Sequence, residues 1–124
     1  MTGEITSGFR EPARVVIDNQ QAWRSFWESY EAGRFPKTDP PSVDFERNRV
    51  IAGMMGERNT GGYAISIAGV FESDDRTIVR VLESSPGRDC AVIQAVTSPV
   101  SAATIPRSTL PVEFVDAGVT APCN

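Results

Sequence analysis

The sequence predicts an α+β fold that is mainly antiparallel β. About seven strands form a sandwich-like or open-barrel sheet, and one N-terminal amphipathic helix packs on it. Three observations carry this expectation. Trp23, Phe26, Trp27 and Tyr30 fall at i, i+3, i+4 and i+7, a single apolar stripe at helical spacing. Arg49-Val50-Ile51-Ala52-Gly53-Met54-Met55 is apolar at nearly every position, as in a central strand covered on both faces. From Val43 onward, segments of β character recur roughly every eight to twelve residues with turn signals between them, which indicates antiparallel pairing.

Taken in order, residues 1–8 are small and polar and read as a loose arm. Ala13 to Ile17 is rich in β-branched residues and reads as a short strand. Asp18 with Gln21 three positions on resembles a helix-opening capping box. The helix is expected from about Asn19 to Ala32, with Arg24, Ser25, Glu28 and Ser29 on its polar faces. Gly33 suits the position past its end and Pro36 blocks continuation. The aromatic stripe reads as the anchor that covers a sheet face, rather than as a ligand box. Phe35 to Ser42 carries Pro36, Pro40 and Pro41 and is expected to be an extended connection.

After the central strand, Gly56-Glu57-Arg58-Asn59-Thr60-Gly61-Gly62-Tyr63 supplies three glycines and an Asn. These tolerate positive φ, so a tight connection between two antiparallel strands is expected here. Tyr63 to Phe71 then alternates, and Glu72 to Asp75 turns the chain into Thr77 to Leu82. Ser85-Pro86-Gly87 leads to a strand expected at Cys90 to Thr97, Ser98-Pro99 breaks it, and Val100 to Ile105 follows. Pro111 to Val115 is the last expected strand, and 116–124 is a tail unless Cys123 ties it down. Residues 1–124 read as a single domain.

The composition excludes several functions. The net charge is -4, with 12 Lys and Arg spread among 16 Asp and Glu, so no basic stripe exists for a nucleic-acid backbone. No histidine is present, which rules out a Ser-His-Asp or Cys-His site and removes the commonest metal ligand. The glycine-rich stretch lacks the ending of a phosphate loop and precedes a strand. Asp74-Asp75 lacks the spacing of a calcium loop and reads as a solvated turn. Neither a cofactor, a metal nor an enzymatic activity is therefore expected. No run of about eighteen apolar residues is present to span a membrane, and Met1-Thr2-Gly3-Glu4 is no signal peptide.

Cys90 and Cys123 fit no zinc or redox motif. They are expected to form one disulfide, worth roughly 3–4 kcal/mol by chain entropy, and an oxidising compartment follows if they do. Two unlinked thiols are the alternative. What remains is a binding surface on loops held by a sheet scaffold. Its candidate residues are Arg58, Asn59, Thr60, Gly61, Gly62 and Tyr63, together with Pro99 and Arg107 from the loops flanking the strand at Val100 to Ile105.

An ordered set of pieces runs from Ser7 to Phe114. It comprises Ser7-Gly8, Glu11, Val15-Val16-Ile17, the Trp23 to Trp27 helix, Val43-Asp44-Phe45 and Val50-Ile51. It continues through Gly56 to Tyr63, Thr97-Ser98-Pro99 and Ile105-Pro106-Arg107. Together they resemble the PrcB family, named after a subunit of a bacterial surface protease complex. Asn59 stands where that family's loop has Pro, and Val100 where an aromatic is usual. The resemblance implies a non-enzymatic accessory domain outside the cytoplasm, in the periplasm, at the cell surface or secreted, with any leader absent from this sequence. Its implied partner is a protein, an extracytoplasmic protease that the domain binds and stabilises. A second resemblance lies in Asn59-Thr60-Gly61-Gly62-Tyr63, which is similar to the Asn-Pro-Thr-Thr-Gly-Tyr loop of chagasin-type cysteine-protease inhibitors. It implies the opposite effect on a bound protease.

Overall fold

The computed structural model describes residues 2–4 and 7–123. Seven strands and one helix follow in the order β1 (Thr2–Glu4), β2 (Pro12–Ile17), α1 (Gln20–Tyr30), β3 (Asn48–Met55), β4 (Ala64–Glu72), β5 (Thr77–Pro86), β6 (Val100–Pro106) and β7 (Val112–Ala121). They build two sheets, ordered β1-β6-β3-β2 and β4-β5-β7. All pairings are antiparallel except β5 with β7.

Helix α1 forms where the aromatic stripe placed it. Asn19, in extended backbone, caps it: the side-chain oxygen accepts the Ala22 N–H at 2.8 Å. The cap is therefore one residue later than Asp18, whose side chain instead accepts from the Asn19 amide. Trp23, Phe26 and Tyr30 are buried on β2, β3 and β6 among Ile17, Val50, Ala52, Met54, Val100 and Ala102. Trp27 stands at the margin of this stripe and is only partly buried. The proline-rich segment lies over that margin as a strap. Its Pro41 carbonyl accepts from the Trp23 indole at 2.8 Å and its Thr38 carbonyl from Trp27 at 3.0 Å. The buried Glu31 carboxylate takes both the N–H and the hydroxyl of Thr38.

β3 is the centre of the molecule. Val50, Ala52 and Met54 face α1, while Ile51 and Met55 face Ile65, Val79, Val81 and Ile105 between the two sheets. An apolar residue on either side of the pleat is what a strand buried on both faces requires. The result is three layers: helix, four-stranded sheet, three-stranded sheet. At roughly 1.5–3 kcal/mol for each large aliphatic side chain buried, this strand is the largest single contributor to the core.

Three expectations are corrected. The strand expected at Cys90 to Thr97 is absent; the segment crosses from β5 in one sheet to β6 in the other, where no neighbour is available to pair with it along its length. The seventh strand is β1, in the arm expected to be loose, and it pairs with Val100 and Ser101 of β6. Behind it, Ser7 and Ser98 exchange three hydrogen bonds of 2.7 to 2.8 Å, and the Gly8 N–H donates to the Tyr30 carbonyl. Finally, the expected tail from 116 continues β7 in register beside β5 as far as Ala121. Because the chain leaves for β6 in the first sheet and returns, β7 re-enters beside β5 running the same way.

Candidate functional site

Residues 56–63 join β3 in one sheet to β4 in the other. They form a crossing between layers instead of the tight hairpin connection expected, because β3 pairs with β2 and β6 and never with β4. The crossing is held by the segment that precedes β6. Arg58 and Thr97 exchange backbone hydrogen bonds of 2.7 and 2.9 Å as an isolated antiparallel bridge. The Thr97 hydroxyl donates to the Thr60 carbonyl at 2.8 Å, and the Gly61 N–H donates to the Ile93 carbonyl at 2.9 Å.

The two glycines are explained by this contact. A Cβ on Gly61 would lie 2.6 Å from Cγ1 of Ile93, so the second loop seats directly on it. Gly62 has φ of 92°, a left-handed conformation that favours glycine. The loops 57–62 and 91–96 therefore run side by side. A hollow of about 250 Å³ lined by Gly62, Pro86, Val92 and Cys123 opens beside them.

The Cys90–Cys123 disulfide ties the base of the second loop to the residues that follow β7, across a separation of 33 in sequence. Above that tether, Ile93 and Val96 are 62% and 60% exposed. Two aliphatic side chains thus stand in water on a loop that is held at its base. Asn59 and Gly62 are exposed next to them.

Beneath the loops lies a charged network. Glu83 on β5 pairs with Arg14 of β2 through a very short contact and stands 4.0 Å from the Arg58 guanidinium. Arg14 also reaches Asp116 of β7 at 3.0 Å and donates to the Ala13 and Met54 carbonyls. Burial pulls the Arg14 pKa down, but Glu83 and Asp116 outweigh it and hold the pKa above its ordinary value. Arg58 lies over the Tyr63 ring, 5.3 Å from its centre, which turns both side chains along the protein rather than into solvent. This network clamps the two sheets and sets the root of the 57–62 loop.

The residues expected at the site divide accordingly. Asn59 and Gly62 lie on the surface, Thr60, Arg58 and Tyr63 are partly buried, and Gly61 is buried. Pro99 is fully buried beside β3, where its carbonyl accepts the Met55 N–H, and this removes it from any docking surface. Arg107 sits at the far end of β6, about 20 Å away at some 3.3 Å per strand residue. There it donates to the Asp18 and Phe45 carbonyls and fastens strand ends together. Ile93 and Val96 were hidden by the strand expected at Cys90 to Thr97, whose alternation would have placed half its side chains inside. Among the described residues, no group of three or more His, Cys, Asp or Glu gathers as a metal site would.

Comparison with curated proteins gives no match, and comparison with solved structures gives none. A family match exists for residues 49–106, the stretch from β3 to the end of β6 that contains both loops of the site. It includes the Gly56 to Tyr63 and Thr97-Ser98-Pro99 motifs and leaves the N-terminal pieces of the resemblance, with helix α1, outside. The family whose model matches residues 49–106 is described as PrcB C-terminal.

Proposed function

We propose that this chain is a non-enzymatic accessory domain that docks on a protein partner outside the cytoplasm through the paired loops 57–62 and 91–96. The partner is a protease, in line with the complex after which the family is named. The observation that carries the reading is the exposure of Ile93 and Val96 on a loop fixed at both ends. One end is held by the Cys90–Cys123 disulfide and the other by the Thr97–Arg58 bridge. A loop already rigid in the free protein loses little conformational freedom on binding, so its apolar anchors contribute more of their burial to affinity. The disulfide agrees with an oxidising compartment.

The second reading, a chagasin-like inhibitor, takes its support from Asn59, which is exposed at the crest of the first loop. Peptidase assay of the captured partner separates the two. The domain immobilised and exposed to an extracytoplasmic extract should retain a protease that still turns over a peptide substrate. A retained protease that is silent until eluted would overturn the accessory role in favour of inhibition. Retention of no protease would overturn both.

A further inference from the structure

The two sheets end in four edge strands, β1, β2, β4 and β7. A sheet edge offers unpaired N–H and C=O groups to any other strand, and natural proteins blunt edges by shortness, proline, bulges or charge. Three of these edges are blunted. β1 has three residues, β2 has six and opens on Pro12, and the pairing of β4 is broken by an irregularity between Ile67 and Gly69. β7 is different. It runs ten residues in unbroken register beside β5 and contains neither Pro nor Lys. Its two acids are occupied within the chain, Glu113 by Arg76 at 3.1 Å and Asp116 by Arg14 at 3.0 Å. Val115 and Val119, on one face of the strand, are 42% and 48% exposed.

We propose that β7 pairs with β7 of a second copy of this chain, antiparallel about a two-fold axis at Ala117, so that two three-stranded sheets become one of six strands. The sequence of the strand is self-complementary in this register. Val115 meets Val119 of the second copy, Ala117 meets itself, Glu113 meets Ala121 and Asp116 meets Gly118. Two cross-strand valine pairs form and no like charges oppose each other. The register centred on Asp116 would set two carboxylates face to face, which disfavours it. An isologous contact of this kind closes at two copies. One strand edge per subunit is a small interface, so the dimer belongs in the micromolar range.

Sedimentation velocity of the full chain from about 1 μM to about 1 mM tests this directly. The expected result is a dimer fraction that rises with concentration and is at least about tenfold weaker in V115K/V119K, whose circular dichroism matches the wild type. A second variant covers the case in which those lysines disturb folding. Ala117→Cys places a thiol on the axis, where opposed Cα atoms lie about 4.5–5.5 Å apart and a disulfide fits. It should oxidise to a covalent dimer, while Ala64→Cys on the opposite edge strand should not. A chain that stays monomeric over the whole range, or a dimer unchanged by V115K/V119K and not trapped by Ala117→Cys, would overturn the proposal. A strand of another protein would then be the occupant of this edge.

Discussion

Replacing Glu83 with Ala removes the carboxylate shared by Arg14 and Arg58, and its cost can be worked from the surroundings. The Arg14 and Glu83 side chains are 15% and 26% exposed, so the pair is neither fully buried nor free in water. Breaking a fully buried pair costs about 3–5 kcal/mol because an unpaired charge is left inside, whereas surface pairs are worth about 0–1 kcal/mol. In the variant Arg14 keeps Asp116 and two backbone carbonyls, while Arg58 keeps only the Tyr63 ring. The loss should lie between those limits, at about 2 kcal/mol. Urea unfolding followed by tryptophan fluorescence measures it, with Arg14→Ala and the double variant completing a cycle. A coupling of about 1–2 kcal/mol between the two positions is expected for residues in one network. A Glu83→Ala loss below about 0.5 kcal/mol, or strictly additive single variants, would refute the clamp between the sheets.

Further outcomes follow from the same structure. Trp23→Ala should destabilise by about 3–5 kcal/mol in urea unfolding and Trp27→Ala by only about 1–2 kcal/mol, since Trp23 is 4% exposed and Trp27 lies at the margin under the strap. Burial raises the Glu31 pKa, but the Thr38 hydroxyl and N–H and the nearby Lys37 outweigh it, leaving the folded-state pKa below the usual 4.5. The stability this provides is complete above about pH 4.5 and is lost as pH falls through the lower folded-state value, so Glu31→Gln should remove that acid-range component from a pH titration of stability. Thiol titration of the unfolded, unreduced protein should find no free cysteine, and Cys90→Ser with Cys123→Ser should lower stability by roughly 3–4 kcal/mol.

The parts of the fold governed by local patterning were legible in the sequence. The i, i+3, i+4, i+7 aromatics specify α1, and the unbroken apolar run at Val50 to Met55 specifies a strand between two layers. What decided the remaining elements is long-range. Ala91 to Val96 has the composition of a strand, yet as it crosses between sheets it runs beside the irregular 57–62 loop instead of a strand, and composition does not record which neighbour a segment meets. Thr2–Glu4 is polar and short, and it is a strand because Val100 and Ser101 offer it an edge. β7 runs past Val115 through Gly118 because β5 continues alongside, a template that outweighs the weak strand preference of Asp and Gly. At the site, the glycine-rich crossing was visible as a stretch needing special backbone, but which residues reach solvent depends on packing. Pro99 and Arg107 flank one strand in sequence, and the length of that strand separates them in space. The Glu83 network joins β2, β5, β7 and the first loop, four stretches that no spacing rule links.

Under the proposed function, the 57–62 and 91–96 loops dock a protein partner. The most direct test compares three immobilised forms of the domain against an extracytoplasmic extract: wild type, I93D/V96D, and R107A as a control at the far end of the molecule. All three should give wild-type circular dichroism, because Ile93 and Val96 are exposed and R107A removes only two side-chain hydrogen bonds at exposed strand ends. Wild type and R107A should retain the same active protease, while I93D/V96D should lose it by at least about a hundredfold, the scale of a central apolar anchor replaced by charge. Undiminished retention of the protease by I93D/V96D would contradict docking through these loops.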